Sequence, residues 1–114
     1  MEKQSAISAL AALAQETRLD VFRTLVQSGP DGLPAGEIGA ALDIPSATLS
    51  FHLKELRSAG LIRCERQGRS RIYSPDFGIT NALIGFLTAN CCEGAEGDCA
   101  STEGCELVPR GDAD

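Results

Sequence analysis

The chain has 114 residues and a mass of 12.0 kDa, enough for one small domain with a core and too little for a second. Hydrophobic residues make up 43% but aromatics only 4%, so alanine and leucine fill the interior, which favours packed helices over a sheet sandwich. The formal charge of −6 sits at one end: residues 1–89 hold nine Lys/Arg against nine Asp/Glu, whereas 90–114 hold one Arg against seven acids.

Taken in chain order, Ile7, Leu10, Ala11 and Ala14 recur at helical spacing and predict a first helix from Ser5 to Gln15. Thr17, with Asp20 three residues on, resembles a capping arrangement. It predicts the start of a second helix with Leu19, Phe22, Leu25 and Val26 inward, ending near Gly29 and Pro30. Gly32 to Ala35 reads as a loop, and Ile38 with Leu42 marks a short third helix. Pro45 ends it, because proline disfavours helical geometry in the residue before it.

A fourth helix is predicted from Ser46 to Ala59, stopped by Gly60, with Leu49, Leu53 and Leu56 as its buried seam. Next, Leu61 to Arg66 and Arg71 to Ser74 read as strands joined by residues 67–70, a hairpin with a basic tip. A last helix spans Asp76 to Asn90, with Ile79, Leu83, Phe86 and Asn90 along one face. Apolar periodicity ends there. Residues 91–114 are expected to form a flexible, acidic, cysteine-rich tail on a domain of residues 1–90.

Two short helices joined by a tight break and followed by a basic hairpin suggest a winged helix-turn-helix, mainly α with a small β-hairpin. The second helix of such a unit enters the major groove of DNA. Ser46, Thr48 and Ser50 are short donors and acceptors suited to base edges, and Lys54 and Arg57 are long cations suited to phosphates. Arg69 and Arg71 at the wing suit phosphate or the minor groove. Residues 54–71 carry six cations against Glu55 and Glu65, opposite in sign to the whole chain. His52, the single histidine, lies beside the leucine seam, where packing or a phosphate contact outranks metal ligation.

Leu13-Ala-Gln-Glu-Thr-Arg-Leu19, Leu49-Ser-Phe-His-Leu-Lys-Glu-Leu56, Ala59-Gly-Leu-Ile62 and Gly68-Arg69 resemble the ArsR family of metalloregulators over residues 5–90. The resemblance implies a winged-helix homodimer, paired through its first and last helices, that represses transcription from double-stranded operator DNA until an effector binds. Members that sense zinc or nickel through the last helix place His and carboxylates there, and residues 77–90 contain neither.

The family's best-known arsenic sensors carry a Cys-Val-Cys motif at the DNA-reading unit, yet no cysteine lies between Ala35 and Leu56. Instead Cys91, Cys92, Cys99 and Cys105 crowd the tail, a layout similar to arsenic-responsive members with a C-terminal cysteine pair and a downstream third. Trivalent arsenic, as arsenite or an organoarsenical, forms three bonds in a pyramid, and thiolates are the ligands that soft centres select. Gly94 and Gly97 let the chain turn Cys99 back to the pair, and the short loop makes it the preferred third ligand. Cys105 could substitute, or complete a four-sulfur site for Cd, Pb or Zn. A thiol-redox sensor uses the same residues. Cys64 shares a strand face with Ile62 and reads as a packing residue.

An enzyme would need a base positioned against a cysteine nucleophile, which one distant histidine does not supply. The longest apolar run, Ala9 to Ala14, is too short to span a membrane, and residues 1–5 lack the pattern of a signal peptide. The expectation is a cytoplasmic regulator with no membrane partner and no protein substrate.

Overall fold

The computed structural model describes residues 1–90. Its elements are α1 (Lys3–Leu13), α2 (Glu16–Ser28), β1 (Leu33–Pro34), α3 (Ala35–Leu42), α4 (Ser46–Ser58), β2 (Ile62–Gln67), β3 (Ser70–Pro75) and α5 (Phe77–Leu87). Local chemistry explains most of the boundaries. Gln15 caps α2, its side-chain oxygen accepting from the Arg18 amide at 2.8 Å, so the expected Thr17 cap is two residues too late. Glutamine escaped notice because the usual caps have shorter side chains. Asp43 closes α3 in the left-handed region (φ 56°), and Pro45 in extended geometry launches α4. Asp76 caps α5 by accepting from the Ile79 amide at 3.0 Å.

The sheet has three strands in the order β1-β3-β2, all pairs antiparallel. β2 and β3 form the expected hairpin, closed by Gly68 and Arg69 between Gln67 and Ser70. Gly68 supplies the positive φ (63°) that so short a loop requires. The third strand corrects the loop reading of residues 32–35. Leu33 pairs with Tyr73 and Pro34 with Ile72. Two residues offer no alternation to detect, and their partner lies far along the chain. Pro34 fits at the sheet edge, where its missing N–H leaves no gap in a ladder.

One core joins all five helices to the sheet. Ala6, Ala9 and Ala12 of α1 meet Val21, Phe22 and Leu25 of α2, Ile38 of α3, Leu49, Leu53 and Leu56 of α4, Tyr73 of β3 and Leu83 of α5. The buried side of α1 is therefore the opposite of the one expected. Ile7 is 49% exposed and Leu10 42%. Both sides of α1 are apolar, so periodicity alone has two solutions. Alanines bring the backbone closest to α2 and α4, and the packing selects that side. In α2, Leu19 and Val26 are likewise turned out while Val21 turns in.

Candidate nucleic-acid interface

The turn between α3 and α4 is held by the Ile44 amide donating to the Gly39 carbonyl at 3.0 Å. Gly39 permits this closeness: a Cβ there would lie 3.2 Å from the Ile44 carbonyl and 3.4 Å from a Leu49 methyl. Leu49, His52, Leu53 and Leu56 then face the core and fix the roll of α4. Ser46, Thr48, Ser50, Lys54 and Arg57 are all exposed, as expected. At 100° per residue, however, the pole opposite the buried seam holds Ala47, Phe51, Lys54 and Ser58. The sequence reading missed Ala47 and Phe51. Centring the helical wheel on the full buried side, His52 included, would have found them.

The wing continues the basic surface. Arg63, Arg66, Arg69 and Arg71 are all exposed. Arg66 stands directly opposite Arg71 in the ladder, a like-charge pair that costs a few tenths of a kcal/mol to about 1 kcal/mol. A polyanion lying against the wing relieves that repulsion. Beside an ordinary solvated hairpin, such a pairing has no compensating gain.

His52 is only 8% exposed, and it belongs to the interior side of α4. A phosphate or groove contact does not fit this position, which corrects that part of the expectation; its packing role agrees with the burial. Arg18 Nη1 lies 3.2 Å from His52 Nδ1, and Arg18 Nε donates to the Ala12 carbonyl at 2.7 Å. One guanidinium therefore ties the end of α1 to α4. Burial, and then the Arg18 charge, hold the imidazole below its ordinary pKa against a smaller opposing effect of Glu55. The neutral ring accepts from Arg18 at Nδ1, which puts its proton on Nε2.

A pH dependence follows. The unfolded chain takes up the proton at about 6.5, above the folded-state value, so this contribution to stability is complete above 6.5 and is lost as pH falls through the folded pKa. Urea midpoints should decline as pH falls below about 6.5, and His52→Gln, which keeps an acceptor for Arg18, should flatten that decline. An unchanged slope in the variant would show that another group titrates.

Cys64 lies opposite Tyr73 in the ladder and is half-buried against the core. Burial, and then the neighbouring thiol, push the Tyr73 hydroxyl above its usual range. Cys91, Cys92, Cys99 and Cys105 lie outside the described residues. Among the described residues no group of three or more His, Cys, Asp or Glu is placed to hold a metal ion, and no helix is long and apolar enough to cross a membrane.

A short helix, a tight turn, an exposed reading helix and an arginine-rimmed hairpin define a winged helix-turn-helix DNA-binding protein. Residues 13–65 match the family model described as a helix-turn-helix domain. The chain is 41% identical over 63 residues to the HTH-type transcriptional regulator YceK of Bacillus subtilis, a match covering 55% of this chain and 62% of that one. It therefore spans less than two thirds of that relative. It is 30% identical over 95 residues to the transcriptional activator HlyU of Vibrio cholerae, covering 82% of this chain and 85% of that one. The solved HlyU structure superposes with a TM-score of 0.63 at 29% identity, over 82% of this chain and 100% of that one. A Halobacterium salinarum protein named ArsR, for arsenical resistance operon repressor, is 34% identical over 67 residues, 59% of this chain and 51% of that one. Solved ArsR-family regulators share the fold. The chain belongs to the ArsR family of winged helix-turn-helix transcriptional regulators. These relatives are DNA-binding regulators and not enzymes.

Proposed function

We propose that this chain is an arsenite-responsive repressor of an arsenic-resistance operon, released from its operator when trivalent arsenic binds Cys91, Cys92 and Cys99. The observation that carries the reading is the vicinal cysteine pair directly after the last helical region, followed by Cys99 seven residues on. Three thiolates in that stretch match a three-coordinate thiophilic centre. Residues 1–90 form the DNA-binding and dimerisation unit, and residues 91–114 supply the effector site. The name of the halobacterial relative agrees with this choice of effector.

Pairing of two copies through α1 and α5 is supported by the large apolar side chains these helices leave outside. Ile7 and Leu10 on α1, with Ile84 (55% exposed) and Leu87 (57%) on α5, are costly to leave in water. α1 and α5 also pack on one another within the chain. A symmetric pair then sets two α4 helices on half-sites about one helical turn apart. Effector binding must favour the low-affinity arrangement of that pair, since equal binding to both states would shift nothing.

Ser46, Thr48 and Ser50 read base edges, while Lys54, Arg57, Arg69 and Arg71 hold phosphates. Lys54→Ala or Arg69→Ala should weaken operator binding and flatten its salt dependence, each lost phosphate contact removing about 0.9 from the log–log slope. Unchanged slopes in both variants would remove the basic stripe from the interface. The function itself is tested by adding arsenite to the anaerobic protein–operator complex. Release supports it, whereas release by peroxide alone points to the redox reading.

A further inference from the structure

Phe51 is 55% exposed at the outward pole of α4, where the other exposed side chains are Ala47, serines, threonine, lysine and arginine. Its ring does not pack into the core. It stands edge-to-face with His52, with centroids 5.4 Å apart and planes at 63°, and His52 is itself tied to Arg18. The ring is thus braced by an anchored group while more than half of the residue is open to solvent. Ala47, one turn earlier on the same pole, is also exposed and extends the apolar surface toward the helix N-terminus.

Leaving a phenyl ring in water is unfavourable, and nothing in the fold requires it there. Cationic neighbours identify the kind of partner that covers it. Lys54 and Arg57 on α4 outnumber the half-buried Glu55, so the exposed side of the helix that carries Phe51 is net positive, which suits a polyanion over an ordinary apolar protein contact. On the base edges of the major groove, the apolar group is the C5-methyl of thymine. The serine hydroxyls and the cationic side chains of α4 read hydrogen-bonding edges and phosphates, and Phe51 offers by far the largest exposed apolar group on this helix for a methyl, ahead of Ala47 and the Thr48 methyl.

We propose that Phe51, backed by Ala47, reads a thymine C5-methyl in each operator half-site and so specifies thymine at one position. This inference rests on the DNA-binding reading above and adds a sequence requirement to it. Phe51 is a specificity residue here, distinct from the phosphate-holding Lys54.

The test selects sites from a random duplex library with the full chain, then replaces each thymine of the selected duplex by deoxyuridine, which removes only the methyl. A replacement in one half-site should weaken binding about four-fold, the effect of burying one methyl group, and replacement in both half-sites about fifteen-fold. Phe51→Ala should bind the thymine and uracil duplexes equally, with the salt slope of the unsubstituted protein, and Phe51→Leu should retain part of the discrimination. Because Phe51 lies outside the core, circular dichroism and the urea midpoint should be unchanged. Indifference of the unsubstituted protein to every uracil replacement overturns the assignment, as does full discrimination by Phe51→Ala. If no duplex is enriched, the DNA-binding reading fails as well, so the two failures are distinguishable.

Discussion

Serine at Cys91, Cys92 or Cys99 should leave operator binding intact and abolish its reversal by arsenite. A hydroxyl is a poor ligand for a soft centre, and two remaining thiolates leave one valence of inorganic arsenic unsatisfied. On the proposed reading operator affinity is carried by α4 and the wing, and the substituted positions belong to neither element. Cys64→Ser should change neither property, because that thiol lies opposite Tyr73 against the core. Arsenic species separate the thiols further. A monomethylated trivalent arsenical has one valence taken by carbon, so Cys91 and Cys92 complete it. Cys99→Ser should therefore lose more response to arsenite than to the methylated form. Release from DNA by arsenite, the methylated arsenical and cadmium, compared for Cys99→Ser and Cys105→Ser, is the deciding measurement. If both substitutions cost the same with cadmium, and arsenite releases nothing, a four-sulfur cation site replaces the arsenic one. If Cys64→Ser alone blocks induction, the effector site lies at the wing.

Gly32→Ala should be the most damaging single-methyl change to the fold. Gly32 has φ +79°, and an added Cβ would collide with the backbone carbonyl of Tyr73 and lie 2.9 Å from the Ile72 side chain. Neither neighbour can move cheaply. β3 is the central strand, and Tyr73 is paired with both Leu33 and Cys64. Relief requires β1 to leave the sheet, taking the start of α3 with it. The expected loss is about 3–5 kcal/mol, a large part of the stability of so small a domain. Gly29 is the control: its φ is +89°, but no described atom lies within 4 Å of the Cβ position. Gly29→Ala should cost only the backbone strain, about 1–3 kcal/mol for φ 89° with ψ −172°, a region essentially confined to glycine. Urea unfolding of the two variants side by side measures the difference. Equal losses would mean that β1 yields freely and that strain alone matters.

The same distinction between local and distant causes separates what was legible in the chain from what was not. The helix order, the break at Pro45, the Gly68 hairpin and the basic wing were all readable. Each is written in neighbouring residues: a periodicity, a proline, a positive-φ glycine, a run of cations. The exposed Ser46, Thr48, Ser50, Lys54 and Arg57 of the reading helix followed from the leucine seam alone. The proposed effector cysteines rest on sequence alone, since they lie outside the described residues.

Tertiary structure decided whatever depended on a choice between equivalent local solutions. α1 has two apolar sides, and only contact with α2 and α4 puts its alanines inward and leaves Ile7 and Leu10 outside. β1 exists because β3 offers an edge to Leu33 and Pro34, which as two residues have no preference of their own. The burial of His52 follows from Arg18 reaching across from α2. Phe51 lies near the pole opposite the leucine seam whether or not His52 is counted with it. Local sequence lists the faces a helix could bury, but shape complementarity among several elements at once selects one of them.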